Sequence, residues 1–122
     1  MGRILGAAQS SDGAAMIQVG ERIIGPGHPI FIAVEVGSTC HGNLDTAKKM
    51  ADAVKESGAD AIKWQMIGPD DLMADKSIEY TYEWAGGTNI ENMYQMFKRL
   101  TFNVVEWAQL TAYCEYIGLP WY

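Results

Sequence analysis

The chain has 122 residues, of which 48% are hydrophobic and 20% are charged, a composition typical of one small globular domain that excludes wholesale disorder. The net charge of −6 argues against nucleic-acid binding, which needs a basic surface, and no apolar run approaches the roughly 20 residues of a membrane span. The two cysteines are too few for a disulfide framework, and Met1–Ser11 has no secretory signal pattern, so we expect a cytoplasmic protein.

The N-terminal part of the chain carries only weak structural signals. Met1–Ala15 is rich in glycine, alanine and serine and has no periodicity, which is typical of a flexible leader. Met16–Val19 and Arg22–Ile24 flank a short turn and predict a small hairpin. We therefore expect the folded portion to cover residues 16–122.

Two apolar runs with a helical pattern between them predict a first βα unit and a second strand. Ile30–Val36 is almost continuously apolar and β-branched, and Asp60–Met66 forms a second such segment. Continuous runs suit strands that are covered on both faces, as in parallel sheets. Between them, Asn43 can cap a helix that runs to about Ser57, and Gly58 suits its C-terminal turn. The predicted buried face of this helix consists of Ala47, Met50, Ala51 and Val54.

The segment beyond the second strand is less regular. Ile67–Thr88 has no clean period and is too long for an ordinary connection, so we interpret it as a functional lid or a mobile segment. Asn89–Leu100 predicts a short helix, and Asn103, with a glutamate three residues later, predicts a capping box for another helix that ends at Gly118. Leu119–Tyr122 then predicts the start of a third strand.

This order of elements predicts a fold of the α/β class. Strands that alternate with helices form parallel sheets. Because a complete TIM barrel needs about 250 residues, the chain has room for only part of one. We therefore predict a truncated TIM barrel, with an N-terminal hairpin, the first two βα units and the start of the third strand.

Strand alternation brings three polar residues together. Glu35 lies on the mixed face of the first strand, and Lys63 and Gln65 lie on the mixed face of the second. All three are near the carboxyl ends of their strands, where α/β folds place their active sites. Glu35 and Lys63 can form a structural ion pair, or the lysine can anchor a phosphate or carboxylate while the glutamine contacts a polyol or amide.

Other candidate residues have two interpretations each. Cys40 and His41 can be metal ligands or a nucleophile with its base, but a buried thiol beside an exposed imidazole is the more common arrangement. Gly86-Gly87 is a possible hinge. Four aromatic residues can stack on a ligand or pin the long segment to the domain; they are Tyr80, Tyr82, Trp84 and Tyr94.

Five stretches together resemble the start of the N-acetylneuraminate (sialic acid) synthase family. The Glu-x-Gly and Gly-Ala-Asp-x-x-Lys-x-Gln blocks, in this order and spacing, are its most specific features. The similarity runs from about residue 17 to Tyr122. The stretches are Pro29–Gly37, Gly42–Met50, Gly58–Gln65, Tyr94–Leu100 and Tyr113–Gly118.

The resemblance implies an activity and a role for each residue of the cluster. The family condenses phosphoenolpyruvate with an N-acylated hexosamine, such as N-acetylmannosamine, and releases phosphate. Its members are homodimers with a TIM barrel, a small antifreeze-like domain and a divalent metal, manganese or magnesium. Lys63 matches the lysine that binds phosphoenolpyruvate, Gln65 matches a sugar contact, and Glu35 matches a glutamate near the reacting groups. The resemblance thus predicts Glu35 and Lys63 as catalytic and Lys63 and Gln65 as substrate-binding.

The chain also departs from the family pattern. Thr39-Cys40 stands where the family usually has Asn-His, with His41 one place later. The family's metal-ligand histidines lie on later strands, beyond Tyr122, so we expect the chain to be inactive alone. A synthase for legionaminic, pseudaminic or spore-coat nonulosonic acids remains an alternative, as does a small self-associating α/β binding module.

Overall fold

The computed structural model describes the backbone of residues 4–9, 13 and 15–122, with side chains for 13 and 15–122. Its first element is an antiparallel sheet of β1 (Ile4–Gln9), β2 (Ala15–Val19) and β3 (Arg22–Ile24), in that order. The predicted hairpin is confirmed as β2 and β3. Within the stretch expected to be a loose leader, β1 is an additional strand; residues 1–3, 10–12 and 14 lie outside the described residues. Main-chain pairing with β2 requires no side-chain periodicity, so no sequence pattern indicated β1.

The predicted first βα unit is confirmed. Strand β4 (Ala33–Gly37) leads into helix α1 (Leu44–Glu56), and strand β5 (Ala61–Trp64) follows and pairs with β4 in parallel. The side chain of Asn43 caps α1 by accepting a hydrogen bond from the Thr46 backbone N–H at 2.9 Å. Both the helix and its cap therefore follow from the sequence pattern.

Both parallel strands differ from their predicted bounds: β4 covers Ala33–Gly37 instead of Ile30–Val36, and β5 covers Ala61–Trp64 instead of Asp60–Met66. The register aligns Glu35 with Lys63 and then Gly37 with Trp64, which leaves Val36 as an extra residue on β4. Bulges of this kind disrupt the hydrogen-bond ladder.

The predicted start of a third strand is confirmed beside β5. The Ile62 N–H donates to the Pro120 carbonyl at 2.9 Å, and the Trp64 N–H donates to the Tyr122 carbonyl at 3.0 Å. Trp121 forms a parallel bridge with Ile62. Among the described residues, the parallel strands thus form an open sheet with β5 between its neighbours, and no closed barrel is present.

Helices α1 and α4 pack beside each other and contribute to the core under this sheet. Helix α4 (Val104–Tyr116) begins with the predicted capping box of Asn103 and Glu106. In the part of the chain with described side chains, no helix is both long and apolar enough to cross a membrane. The buried core cluster comprises Cys40, Ala47, Ala51, Val54, Ile62, Trp64, Phe102, Trp107, Leu110, Cys114 and Leu119.

A hydrogen bond joins the two core helices and provides a stability test. The Tyr113 hydroxyl donates to Asp52 Oδ1 at 2.7 Å in a partly buried position. We expect Tyr113→Phe to lower the free energy of unfolding by about 1.5 kcal/mol, since it removes a partly buried hydrogen bond to a charged acceptor. Tyr116→Phe is the matched control because Tyr116, on the same helix, is 86% exposed. Urea unfolding of both variants checks this expectation, and equal losses of stability would contradict it.

The segment between β5 and α4 is more regular than predicted. Instead of an irregular stretch over 67–88 and a helix over 89–100, it contains helix α2 (Pro69–Leu72), the hairpin of β6 (Glu79–Trp84) and β7 (Gly87–Asn92), and helix α3 (Met93–Leu100). Most side chains of β6 and β7 are exposed. Strand β6 does alternate polar and aromatic residues, so one strand of the hairpin was indicated by the sequence and the expectation of an irregular segment was wrong; β7 has no such alternation.

Candidate functional site

The two charged residues of the predicted cluster face each other across the parallel pair. Lys63 Nζ donates to Glu35 Oε2 at 2.9 Å. Their side chains are 44% and 58% exposed, respectively. On the opposite face, Ile62 and Trp64 are buried in the core and Val34 packs against it. Val34, Ile62 and Trp64 thus form the face of the pair that packs inward, whereas Ile32 and Met66, at the ends of the same face, are 55% and 62% exposed.

Gln65 lies at the same end of the sheet. Gly37, the last residue of β4, has a φ of +53°, and a Cβ built on it would lie 3.5 Å from Gln65 Oε1. The carboxamide is therefore next to the end of β4, two residues beyond Glu35. Gln65 also lines an open depression of about 370 Å³ together with Met66, Ile67, Gly68, Asp71 and Leu72.

The ion pair has a clear electrostatic consequence. The Glu35 carboxylate, first by its hydrogen bond and then by its charge, raises the pKa of Lys63 above the ordinary value of 10.5. Lys63 is therefore a fixed cation at neutral pH. Because both side chains are exposed and screened by water, the pair adds little to folding stability. The site thus offers an anion an ammonium group, with a carboxylate and a carboxamide close by.

Cys40 and His41 do not form a common site. Cys40 is 3% exposed and belongs to the core cluster. His41 is exposed and has a φ of +53°. The interpretation as a buried thiol beside an exposed loop imidazole is confirmed, and the pairing of a nucleophile with its base is wrong because the two side chains lie in different environments.

Two of the aromatic residues stabilise the segment between β5 and α4. The Tyr82 hydroxyl donates to Glu91 Oε1 at 2.9 Å across the β6–β7 hairpin, and Arg99 on α3 also pairs with Glu91, at 2.8 Å. The Tyr94 hydroxyl donates to Asp70 Oδ1 at 3.1 Å and so links α3 to α2. These contacts all lie within the segment, so the two aromatic residues hold its parts together, and neither contact pins the segment to the rest of the domain.

The described residues do not fit a metal centre. No group of three or more histidine, cysteine, aspartate or glutamate side chains comes together in the part of the chain with described side chains. Glu35 is directed at Lys63, an arrangement that neutralises the carboxylate instead of offering it to a cation. We therefore derive no step through a metal from these residues.

The structure identifies one charged residue that the sequence interpretation missed. Asp60 lies at the amino end of β5, opposite the end that carries Gln65, and its side chain is only 10% exposed. It pairs with Arg22 of β3 at 3.0 Å. Asp60 belongs to the Gly-Ala-Asp-x-x-Lys-x-Gln block, so this block combines a structural aspartate with residues of the candidate site.

The fold and the site together define the class of protein: an α/β protein with an open parallel sheet and polar residues at the carboxyl ends of its strands. Residues 50–122 match the NeuB family, and the chain belongs to this family. Its similarity to the N-terminal part of sialic acid synthases, expected from the motifs, is thereby confirmed.

Known relatives agree with this assignment. The chain is 35% identical over 103 residues to an uncharacterised protein of Methanocaldococcus jannaschii, covering 84% of this chain and 26% of that one. It is 35% identical over 101 residues to the N-acetylneuraminate-9-phosphate synthase of Homo sapiens, covering 80% and 27%. The chain thus spans about a quarter of the length of these curated relatives.

A solved structure supports the fold independently. The crystal structure of an N-acetylneuraminic acid (sialic acid) synthetase from Leptospira borgpetersenii, in complex with citrate, superimposes with a TM-score of 0.70 at 21% identity. The match covers 88% of this chain and 33% of that protein. At this level of identity the likeness shows the fold alone.

Proposed function

We propose that the chain forms the N-terminal part of a TIM-barrel synthase that condenses phosphoenolpyruvate with an N-acylated hexosamine to give a nonulosonic acid and phosphate. The observation that carries the proposal is the pairing of Glu35 with Lys63 at the carboxyl end of adjacent parallel strands. Gln65 follows Lys63 two residues later at the same end of the sheet. Family membership and the motif around these residues support it.

Each residue has a chemical role in this proposal. Phosphoenolpyruvate is strongly anionic, and the Lys63 ammonium holds its phosphate or carboxylate as a point-charge anchor. Gln65 offers a donor and an acceptor to the hydroxyl or amide groups of the sugar. Glu35 orients Lys63 before the donor binds and lies next to the reacting groups afterwards. Together they hold two substrates side by side, which lowers the entropic cost of their reaction.

Several parts of the proposal concern the whole enzyme. A divalent metal, manganese or magnesium, would activate the sugar aldehyde, with ligands that we expect outside this chain. We also propose a homodimer and a cytoplasmic location. Synthases of N-acetylneuraminic, legionaminic, pseudaminic and spore-coat nonulosonic acids remain candidates, because the contacts that would distinguish these sugars are not among the three residues.

The test uses the 122-residue chain and two readouts. We expect phosphoenolpyruvate to shift NMR resonances of Lys63 and its neighbours in a saturable manner. We expect no product when N-acetylmannosamine and manganese are added, because the described residues hold no metal site. Product formation would contradict the expected inactivity of the isolated chain.

The same titration includes a control ligand. Lactate carries one carboxylate but no phosphate, so it should bind more weakly than phosphoenolpyruvate at equal ionic strength. Equal shifts with both ligands, or none with either, would contradict the proposed donor site. A folded, self-associating chain that binds neither ligand would instead favour the alternative of a small interaction module, and size-exclusion chromatography reports that association.

A further inference from the structure

Asp60 is a mostly buried carboxylate that contacts β3 and the residue just before β4. Its Oδ2 accepts a hydrogen bond from the Ile32 backbone N–H at 2.8 Å, and its Oδ1 lies 3.0 Å from Arg22 Nη1. Its own backbone N–H donates to the Ile32 carbonyl at 2.8 Å. Asp60 therefore binds both polar backbone groups of Ile32, the residue that precedes β4.

The contact between Asp60 and Ile32 has the same strand register as the pair of Lys63 and Glu35. Ile32 lies three residues before Glu35, and Asp60 lies three residues before Lys63. Parallel strands advance together by about 3.3 Å per residue. A bond that fixes Ile32 beside Asp60 therefore also sets Glu35 beside Lys63, about 10 Å further along the pair.

The other end of the ladder cannot set this alignment as firmly. Immediately after Glu35 the register shifts, because Val36 is an extra residue before Gly37 pairs with Trp64. A bulge leaves the local hydrogen-bond pattern disrupted. The alignment of Glu35 with Lys63 is consequently set from the amino side, by the pairs Ala33–Ala61 and Val34–Ile62 and by the contact of Asp60 with Ile32 that begins this ladder.

Arg22 completes the arrangement from the N-terminal sheet. A carboxylate that is largely removed from water is unfavourable unless a cation lies beside it. Arg22 on β3 supplies the countercharge, while its own side chain is 45% exposed. The ion pair thus links the antiparallel sheet to the start of the parallel pair.

We propose that Asp60, held by Arg22, is a positioning residue that fixes the register in which Lys63 faces Glu35. The consequence for substrate binding rests on the function proposed above, whereas the positioning itself does not. Asp60 touches no reacting group in this proposal; it acts through the alignment of β4 and β5.

Competitive acylation of lysines measures this positioning without any substrate. Only the neutral amine reacts, so a lysine that is kept protonated by a carboxylate reacts slowly, by about tenfold per pKa unit. The chain is treated with limiting acetic anhydride at pH 8, and mass spectrometry gives the reactivity of Lys63 relative to Lys49, an exposed lysine of α1. Glu35→Gln defines the full effect of losing the ion pair.

We expect Asp60→Ala to raise the relative reactivity of Lys63 by at least threefold, towards the Glu35→Gln value. Tyr113→Phe is the control: it removes the hydrogen bond with Asp52 between α1 and α4 and leaves every charge in place, so it should lower stability without changing the Lys63 ratio. A variant Asp60→Ala that loses stability but keeps the wild-type ratio would overturn the proposal, because Asp60 would then be only a structural brace.

A second variant decides the matter if Asp60→Ala does not fold. Asp60→Asn keeps a carbonyl acceptor for Ile32 but loses the charge that holds Arg22, and we expect about a twofold rise in the Lys63 ratio. An unchanged ratio in folded Asp60→Asn would overturn the proposal. Because acylation needs no ligand, a failure of phosphoenolpyruvate to bind would refute the proposed function and leave this result intact.

Discussion

Gly42→Ala is expected to lower the free energy of unfolding by about 2–4 kcal/mol, from two physical effects at one position. Gly42 has a φ of +68°, a conformation that costs a residue with a side chain about 1–2 kcal/mol. In addition, a Cβ at this position would lie 2.4 Å from the carbonyl oxygen of Arg99. That oxygen belongs to the backbone of α3, so it cannot move aside as the end of a flexible side chain can.

Gly58→Ala separates the two effects. Gly58 has a φ of +78°, but a Cβ there would meet no atom within 4 Å. This control therefore carries only the conformational cost, and we expect it to lose about 1–2 kcal/mol. Thermal and urea unfolding of both variants provides the comparison. Equal losses would show that the close approach of Gly42 to α3 contributes nothing.

The parallel core could be predicted from the sequence because several local signals agree there. The apolar run of β4, the cap at Asn43 and the capping box at Asn103 each indicate the same elements that the structure contains. Alternation along β4 and β5 also placed Glu35 and Lys63 on one face. Where periodicity, capping and burial coincide, the local sequence is sufficient to predict the element.

The remaining elements depend on contacts that sequence patterns do not encode. In the β6–β7 hairpin only β6 alternates polar and aromatic residues, whereas β7 does not, and the turn at Ala85-Gly86 could not be distinguished from a hinge. Asp60 is far from its partner Arg22 along the chain, and no spacing rule links such distant residues. The bulge at Val36 likewise arises from the pairing of two strands.

Loss of the Lys63 charge should have the largest effect on the proposed binding of an anionic donor. We expect Lys63→Met to weaken phosphoenolpyruvate binding by about 10- to 100-fold, since a hydrogen bond to a charged group contributes roughly 1.5–3 kcal/mol. Lys49→Met removes the same charge from a different place, helix α1, so it should have little effect on phosphoenolpyruvate binding at 150 mM salt. NMR titration of each variant measures the dissociation constants.

Glu35→Gln provides the opposite perturbation of the same pair. The Glu35 carboxylate competes with an anionic ligand for Lys63 and repels it, so its neutralisation should tighten phosphoenolpyruvate binding by severalfold. The two substitutions are therefore expected to change affinity in opposite directions. If Lys63→Met and Glu35→Gln weakened phosphoenolpyruvate binding equally, binding would depend on the intact ion pair and not on the charge of Lys63 alone. The pair would then be a structural ion pair. Opposite changes would instead identify Lys63 as the anchor and Glu35 as a group that competes with the ligand for it.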